Sequence, residues 1–337
     1  MIDLHLHFDG SLMPQTVIDI AKHDGIELKS YNIAQISKQL SVNNDCKSLT
    51  EYLKCFDLPL RVLQTKYSIN KAFCDLISNL SANGLCYSEI RFAPQLHTNG
   101  GLDQRSVVIA AIDAVNRANS ECGFMSQLIL CCMRGDNNYN QNLETINVAK
   151  EFLNKGVCAI DLAGDESHYP TKNYKSLFDI AVKNNIPFTI HAGEAADHNS
   201  VADALAMGAA RIGHGINSIN SNVVLNTLKS QKTVVETCLT SNLQTKAVAC
   251  KTDFPLNKFL DYGIVATINT DNTTVSGTSL KAEYCKVKNL YSYNDEQMLK
   301  IALNAADGAF LNTKQKQMLK QKVASNFNNW INGEQNV

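Results

Sequence analysis

The sequence predicts an α/β fold, a (β/α)8 barrel with extra helices inserted between strands 1 and 2 near the barrel mouth. Three observations carry that expectation. Eight short β-rich runs end near His7, Pro94, Arg134, Glu166, Glu194, His214, Asn242 and Asp271. Helix-length segments separate the runs, which is the pattern of βα units. The polar residues able to do chemistry fall at the run ends, where a barrel gathers its catalytic groups. A doubly wound open sheet is the main alternative, but it would not bring the first and last strands together.

The elements follow in order. The first run closes on His5-Leu6-His7. Residues 14–23 have helical spacing behind Pro14, and Gly25 would stop the helix. Residues 25–80 are too long for one crossover and should add helices beside the mouth. Within them, Ser48-Leu49-Thr50-Glu51 reads as a capping box, with Leu49, Leu53 and Phe56 on one face. With Leu58 and Leu60, that face would either wall a ligand or simply pack against its neighbours. Strand-like runs follow at 86–92 after Gly84, at 126–132, and at 157–162 after Gly156. A helix over 173–183 should lead into the run at 187–190. Ser200 would cap a helix carrying Val201, Leu205 and Ala206. Runs at 233–237 and 264–268 complete the eight.

Bulk properties narrow the function classes. No Pro/Gly/Ser-rich linker or charge block divides the 337 residues, so one barrel domain spanning 1–337 is expected. The apolar fraction of 45% is that of an ordinary globular protein. Net charge is -1 and no basic tract stands out, so nothing favours nucleic acid or an anionic membrane. The eleven cysteines are scattered and form no C-x-x-C pair. They read as buried small hydrophobes in a reducing compartment rather than as a disulfide framework or a cysteine zinc cage. No basic and apolar leader follows Met1, and no apolar run approaches the ~20 residues that span a bilayer. A cytoplasmic protein is expected.

The strand ends suggest a metal. Alternate residues of a strand face the same side, so His5 and His7 can chelate one ion, though the pair alone is a weak signal. His191 closes the fifth run and Asp271 the eighth. Three imidazoles and a carboxylate suit zinc, with room for water. Taken singly, His191 reads equally as a core histidine, and Asp271, before Asn272-Thr273-Thr274, as a helix N-cap. Glu194 lies three residues past His191, within reach of a substrate over the metal. A carboxyl group desolvated there should keep its proton and donate it; the alternative is a surface glutamate opening the next helix. His214, between Gly213 and Gly215, would orient an attacking hydroxide and assist its formation, or else serve as a turn residue.

Together these stretches resemble the adenosine deaminase family, in the purine-deaminase branch of the metal-dependent amidohydrolases. The resemblance runs nearly end to end. It covers residues 5–12 (His-Leu-His-Phe-Asp-Gly-Ser-Leu), Arg91-Phe92-Ala93-Pro94, Cys131-Cys132-Met133-Arg134, and residues 161–166. It continues through residues 191–194, 211–215, Asn269-Thr270-Asp271 and 304–311. The resemblance implies that His5, His7, His191 and Asp271 hold one zinc ion per chain. It implies that Glu194 shuttles a proton at purine N1 and that His214 positions the hydroxide. Substrate contacts would come from His7, from the Gly164 N–H at purine N3, from Asp9 at the ribose 5′-hydroxyl, and from Asn272 at N7. Asp9-Gly10 reads otherwise as an ordinary turn. Many family members carry aspartate where this chain has Asn272; an asparagine NH2 donates to N7 without needing a proton.

The implied reaction is hydrolytic deamination of adenosine, and of 2′-deoxyadenosine, to inosine and ammonia in purine salvage. The partner is a small purine nucleoside. Gly213 leans toward the nucleoside, because adenine deaminases of the same branch tend to carry aspartate there. The rivals are an adenine deaminase or other purine aminohydrolase, and a silent zinc-binding barrel, against which Glu194 and His214 argue. The H-x-E…P-C-x-x-C signature of the cytidine-type base editors is absent. The sequence gives no oligomeric state.

Overall fold

The computed structural model describes residues 1–43 and 46–333. Residues 44, 45 and 334–337 of the expected domain span lie outside the described residues. Eight strands alternate with helices among the described residues: β1 (Ile2–His7), β2 (Tyr87–Phe92), β3 (Ser126–Met133), β4 (Val157–Ala163), β5 (Thr189–Ala192), β6 (Arg211–His214), β7 (Val234–Thr237) and β8 (Ala266–Ile268). Parallel ladders join β1 through β4, and β5 through β8.

Two seams close the ring. Between β4 and β5, the Ile160 N–H donates to Pro187 O at 3.0 Å. Between β8 and β1, His7 N donates to Asp271 O at 2.7 Å and Asp271 N to His5 O at 2.8 Å. The Thr270 hydroxyl adds a bond to Asp3 Oδ2 across the second seam at 2.6 Å. First and last strands therefore meet, as a (β/α)8 barrel requires and an open sheet does not.

Polar side chains fill much of the barrel interior. Strand β2 is buried throughout. Its Ile90 and Phe92 join the apolar core, where Phe92 meets Phe73 of helix Lys66–Ala82 with ring centroids 5.5 Å apart. Alternate residues Glu89 and Arg91 carry its charge. Arg91 binds Asp161 of β4 at 2.9 Å and Glu236 of β7 at 2.9 Å, and donates to Leu4 O of β1 at 2.6 Å. Arg211 of β6 binds Glu236 and Glu89, each at 2.5 Å. Below, residues 308–310 cover the base: Arg211 lies 3.9 Å over the Phe310 ring, and Phe310 N donates to Glu89 at 2.6 Å.

The inserted helices lie between β1 and β2, as expected: Pro14–Asp24, Ile33–Leu40, Leu49–Tyr52, Asp57–Val62 and then Lys66–Ala82. Local details differ from the sequence reading. β7 ends at Thr237, and Asn242 lies in helix Leu239–Gln244, because the chain turns into a helix directly after the strand. The β-rich runs also end two or three residues before Pro94, Glu166, Glu194 and Asp271: Pro94 opens a 3-10 turn, Asp271 forms an isolated bridge with Leu6, and Glu166 and Glu194 sit in loops. Ser200 caps nothing: Asp197 is the N-cap of His198–Met207, and Ser200 is buried within that helix's first turn. At residues 48–51 half of the capping box forms. Ser48 accepts from Glu51 N at 3.2 Å, but the Glu51 carboxylate takes Lys47 N at 3.0 Å, one residue earlier. The helix 173–183 begins as a 3-10 turn, Thr171–Tyr174, before Lys175–Lys183.

Removing Arg91 would leave buried Asp161 without its cation and Glu236 with Arg211 alone. Arg91→Met is expected to lower stability by about 3–5 kcal/mol, the usual consequence of breaking a buried pair from one side. Urea unfolding followed by circular dichroism checks this; a loss below about 1 kcal/mol would mean the network is worth no more than surface pairs.

Candidate active site

The C-terminal strand ends converge on one point. Ligand atoms of His5, His191, His214 and Asp271 all lie within 4.8 Å of one another. His7 joins them: its Nε2 is 3.2 Å from His191 Nε2 and 3.3 Å from Asp271 Oδ1. Five donors thus meet, one more than a tetrahedral zinc site needs. The tightest group holds His214 where the sequence reading has His7.

The outer nitrogens sort these imidazoles. His5 Nδ1 faces the Glu236 carboxylate at 2.7 Å and His191 Nδ1 faces Asp161 at 3.0 Å. A carboxylate can only accept, so each Nδ1 carries the hydrogen and each Nε2 presents a lone pair inward. His5 Nε2 is buried and has no hydrogen-bond partner among the described residues, which a cation at the centre would supply. His214 differs. Its Nδ1 meets the Asn242 NH2 at 3.0 Å, which leaves the hydrogen on Nε2. The donor set, imidazole nitrogen with one carboxylate on a rigid barrel rim, fits a single zinc ion.

Charges follow from the packing. Burial alone would depress His5, yet the Asp271 and Glu236 carboxylates on either side of its ring hold it above its ordinary value. Burial holds His7 and His214 well below the histidine range, so both are neutral at pH 7. Burial opposes ionisation of Asp271, but the imidazoles around it prevail and it stays a carboxylate.

Glu194 lies beside this cluster. Its Oε2 is 3.6 Å from His214 Nε2, and its Oε1 accepts from the Thr245 hydroxyl at 3.2 Å. Burial first, and then the charges of Asp271 and Glu166, push its carboxyl up to about 8. It therefore holds its proton at neutral pH, as the sequence reading expects of an acid.

Backbone geometry aims several of these groups. His214 has φ +61° and Asp271 φ +63°, a left-handed conformation that few residues other than glycine adopt. Gly213 lies beneath the donors: a Cβ there would stand 3.0 Å from His5 Cε1 and 3.2 Å from His191 Cα.

A cavity opens over the cluster. Its polar wall has His7, Asp9, Gly164, Glu194, His214, Asp271 and Asn272; Leu49, Leu53, Phe56, Leu60, Leu96 and Met133 form the apolar wall. The face of Leu49, Leu53 and Phe56 thus reaches the cavity. Asp9 is buried, which pushes its carboxyl up to about 6. Asn272 packs on Gly10, where any Cβ would lie 1.7 Å from Asn272 Oδ1. Of the residues singled out in the sequence, His7, Asp9, Gly164, His191, Glu194, His214, Asp271 and Asn272 line the cavity, and His5 belongs to the donor cluster.

The sequence reading missed the supports. Glu236 was not singled out, although a carboxylate inside the run Val234-Val235-Glu236-Thr237 is the mark of a buried partner. Arg91, Asp161 and Glu166 fall within the family-like motifs, where nothing local assigns them a role. Asn242 reads as a strand end in the sequence, but it lies in helix Leu239–Gln244 and holds His214.

Comparisons with known proteins agree with this geometry. A family profile described as "Adenosine deaminase" matches residues 1–326. The adenosine deaminase of Haemophilus ducreyi is 45% identical over 331 residues, covering 97% of this chain and 96% of that protein. That of Clostridium acetobutylicum is 37% identical over 323 residues, covering 96% of each. Among solved structures, an adenine deaminase from Arthrobacter aurescens superposes with a TM-score of 0.88 at 23% identity, covering 97% of this chain and 98% of that one. An Arabidopsis N6-mAMP deaminase gives 0.85 at 24% identity, covering 96% and 97%. At such identities the likeness speaks for the barrel alone.

The outer carboxylates should tune the metal. Asp161→Asn is expected to weaken zinc binding by about 10–100-fold, the usual effect of losing a ligand's outer partner. Competition with a chromophoric chelator measures it, and an unchanged affinity would dismiss Asp161 as a support of His191.

Proposed function

We infer the reaction from a plain premise: this chain belongs to the adenosine deaminase family. Its substrate is adenosine, with 2′-deoxyadenosine accepted by the same contacts, and water converts it to inosine and ammonia. The observation that carries this reading is Glu194, a buried carboxyl in the cavity wall that keeps its proton beside a cluster of imidazoles and a carboxylate able to hold a metal. A metal site alone fits many hydrolases; a protonated acid over it fits delivery of a proton to a ring nitrogen.

His5, His7, His191 and Asp271 are the ligands in this reading. His214 is left out because its inward nitrogen carries a hydrogen. When bound, zinc supplies the Lewis acidity that makes water a nucleophile near neutral pH.

The side chains do the rest. His214, neutral and fixed through Asn242, orients water toward C6 and takes part in moving its proton. Glu194 protonates N1, so negative charge does not build up in the ring as C6 becomes tetrahedral. The Gly164 N–H serves N3 and Asp9 the 5′-hydroxyl. The oxygen of Asn272 rests on Gly10, and its NH2 serves N7. His7 borders both ion and substrate. The apolar wall covers the ring and keeps bulk water from the reacting atoms.

Gly213 supports the nucleoside over the free base. A side chain there would crowd His5 and His191, which would have to give by a few tenths of an ångström, so glycine suits this arrangement better than the aspartate expected of adenine deaminases. The chain acts as one barrel domain in cytoplasmic purine salvage. Among the described residues no helix is long and apolar enough to cross a membrane.

Ammonia release and the ultraviolet change, measured on zinc-loaded protein with adenosine and with adenine, test the substrate. Turnover of adenine alone would overturn the nucleoside reading. Glu194→Gln should lower kcat by about 10²–10⁴-fold while zinc content stays at one per chain; near-normal turnover in that variant would refute the acid. Glu194 acts protonated, so kcat should hold below its pKa and fall as pH rises through it. A neighbouring cation favours the carboxylate, which puts the alkaline limb at or below about 8. A limb that persists in Glu194→Gln would belong to another group.

A further inference from the structure

We propose that Glu166 is the positioning residue for Glu194, its carboxylate fixing the backbone of residues 193–196 that carries the acid. The inference rests on Glu194 being the proton donor. After β5 the chain runs through 193–196 with no helix or strand before helix His198–Met207. Four successive amides there have no backbone acceptor among the described residues. All four donate to Glu166: Gly193 N to Oε1 at 2.7 Å, and Glu194 N, Ala195 N and Ala196 N to Oε2 at 2.9, 2.8 and 3.2 Å. The Ser200 hydroxyl donates to Oε1 as well.

The carbonyls of the same segment are held from the other side. Asn217, just after β6, donates its backbone N–H to Gly193 O at 3.0 Å and its amide to Ala196 O at 2.9 Å. The loop is thus clamped between a β4-loop carboxylate and a β6-loop amide. Buried backbone groups need partners, and here one side chain supplies the acceptor for four of them. A nest of consecutive N–H groups takes an anion best, which explains a carboxylate rather than an amide at position 166. Glu166 is buried and makes no ion pair among the described residues; the nearby cation Arg134 reaches it only through Thr171 and Ser200.

This arrangement ties catalysis to a residue that touches no substrate. A shift of about 1 Å in an acid costs on the order of 10²-fold in rate. Glu166→Gln keeps the volume but turns an NH2 toward amides that need an acceptor. It should lower kcat by about 10²-fold with KM nearly unchanged, because the cavity walls and metal ligands stay in place.

Amide hydrogen exchange and kinetics together decide the matter. In the unaltered protein, the amides of 193–196 should be as protected as those of β5, although they lie in a loop. In Glu166→Gln these four should lose protection selectively, with zinc still at one per chain and kcat, not KM, reduced. Loop amides that exchange freely in the unaltered protein would overturn the proposal even if the variant does not fold. So would a variant with normal kcat, or one that loses zinc, KM and kcat together. If the unaltered protein deaminates neither adenosine nor adenine, the reaction falls, and the exchange pattern still decides what Glu166 holds.

Discussion

Arg91 stands between Glu236 and Asp161, and each of those carboxylates holds the outer nitrogen of an imidazole, His5 and His191 respectively. One buried guanidinium thereby sets the angle of two rings contributed by strands on different sides of the barrel. Without Arg91, Asp161 would lose its cation and Glu236 would keep only Arg211, and without the carboxylates the imidazoles would be free to choose their tautomer. The network also accounts for a barrel interior that departs from layers of branched aliphatics. Polar residues replace them because a chain of charges must be complete to be tolerated in low dielectric.

The chemistry sits on the stiff side of the cavity. His214, at the end of β6, and Asp271, just past β8, hold left-handed backbone conformations, and Glu194 rides on a loop whose amides and carbonyls are tied to neighbouring loops. Facing them is a wall of short helices, Leu49–Tyr52 and Asp57–Val62, with an intervening 3-10 turn. One-turn helices gain little from their own hydrogen bonds and depend on packing. Precision and adaptability are thus divided between the two walls.

Fold class was legible because strand ends carry both punctuation and function: His7, His191, His214 and Asp271 mark the rim in sequence and in space. The metal donors and Glu194 could be read for the same reason, with the family resemblance supplying their roles. The supports were harder. Glu236 and Arg91 pair across 145 positions, and no local pattern names the partner of a buried charge. Asn242 and Ser200 were misplaced because polar residues near an element's end look like caps or stops. Only tertiary contact shows that one orients a ring and the other bonds a carboxylate. Which of the donors around the ion are ligands is likewise a question of tautomers, set by neighbours remote in the chain.

The barrel is two ladders of four strands, joined at seams with few backbone bonds. The proposed ligands divide evenly between them: His5 and His7 belong to the first ladder, while His191 lies in the second and Asp271 just past its last strand. An ion held by all four is a rivet through both halves, bridging residues more than two hundred positions apart. Its binding energy then counts toward closure of the ring as well as toward catalysis. Zinc supply would govern how tightly the halves stay shut.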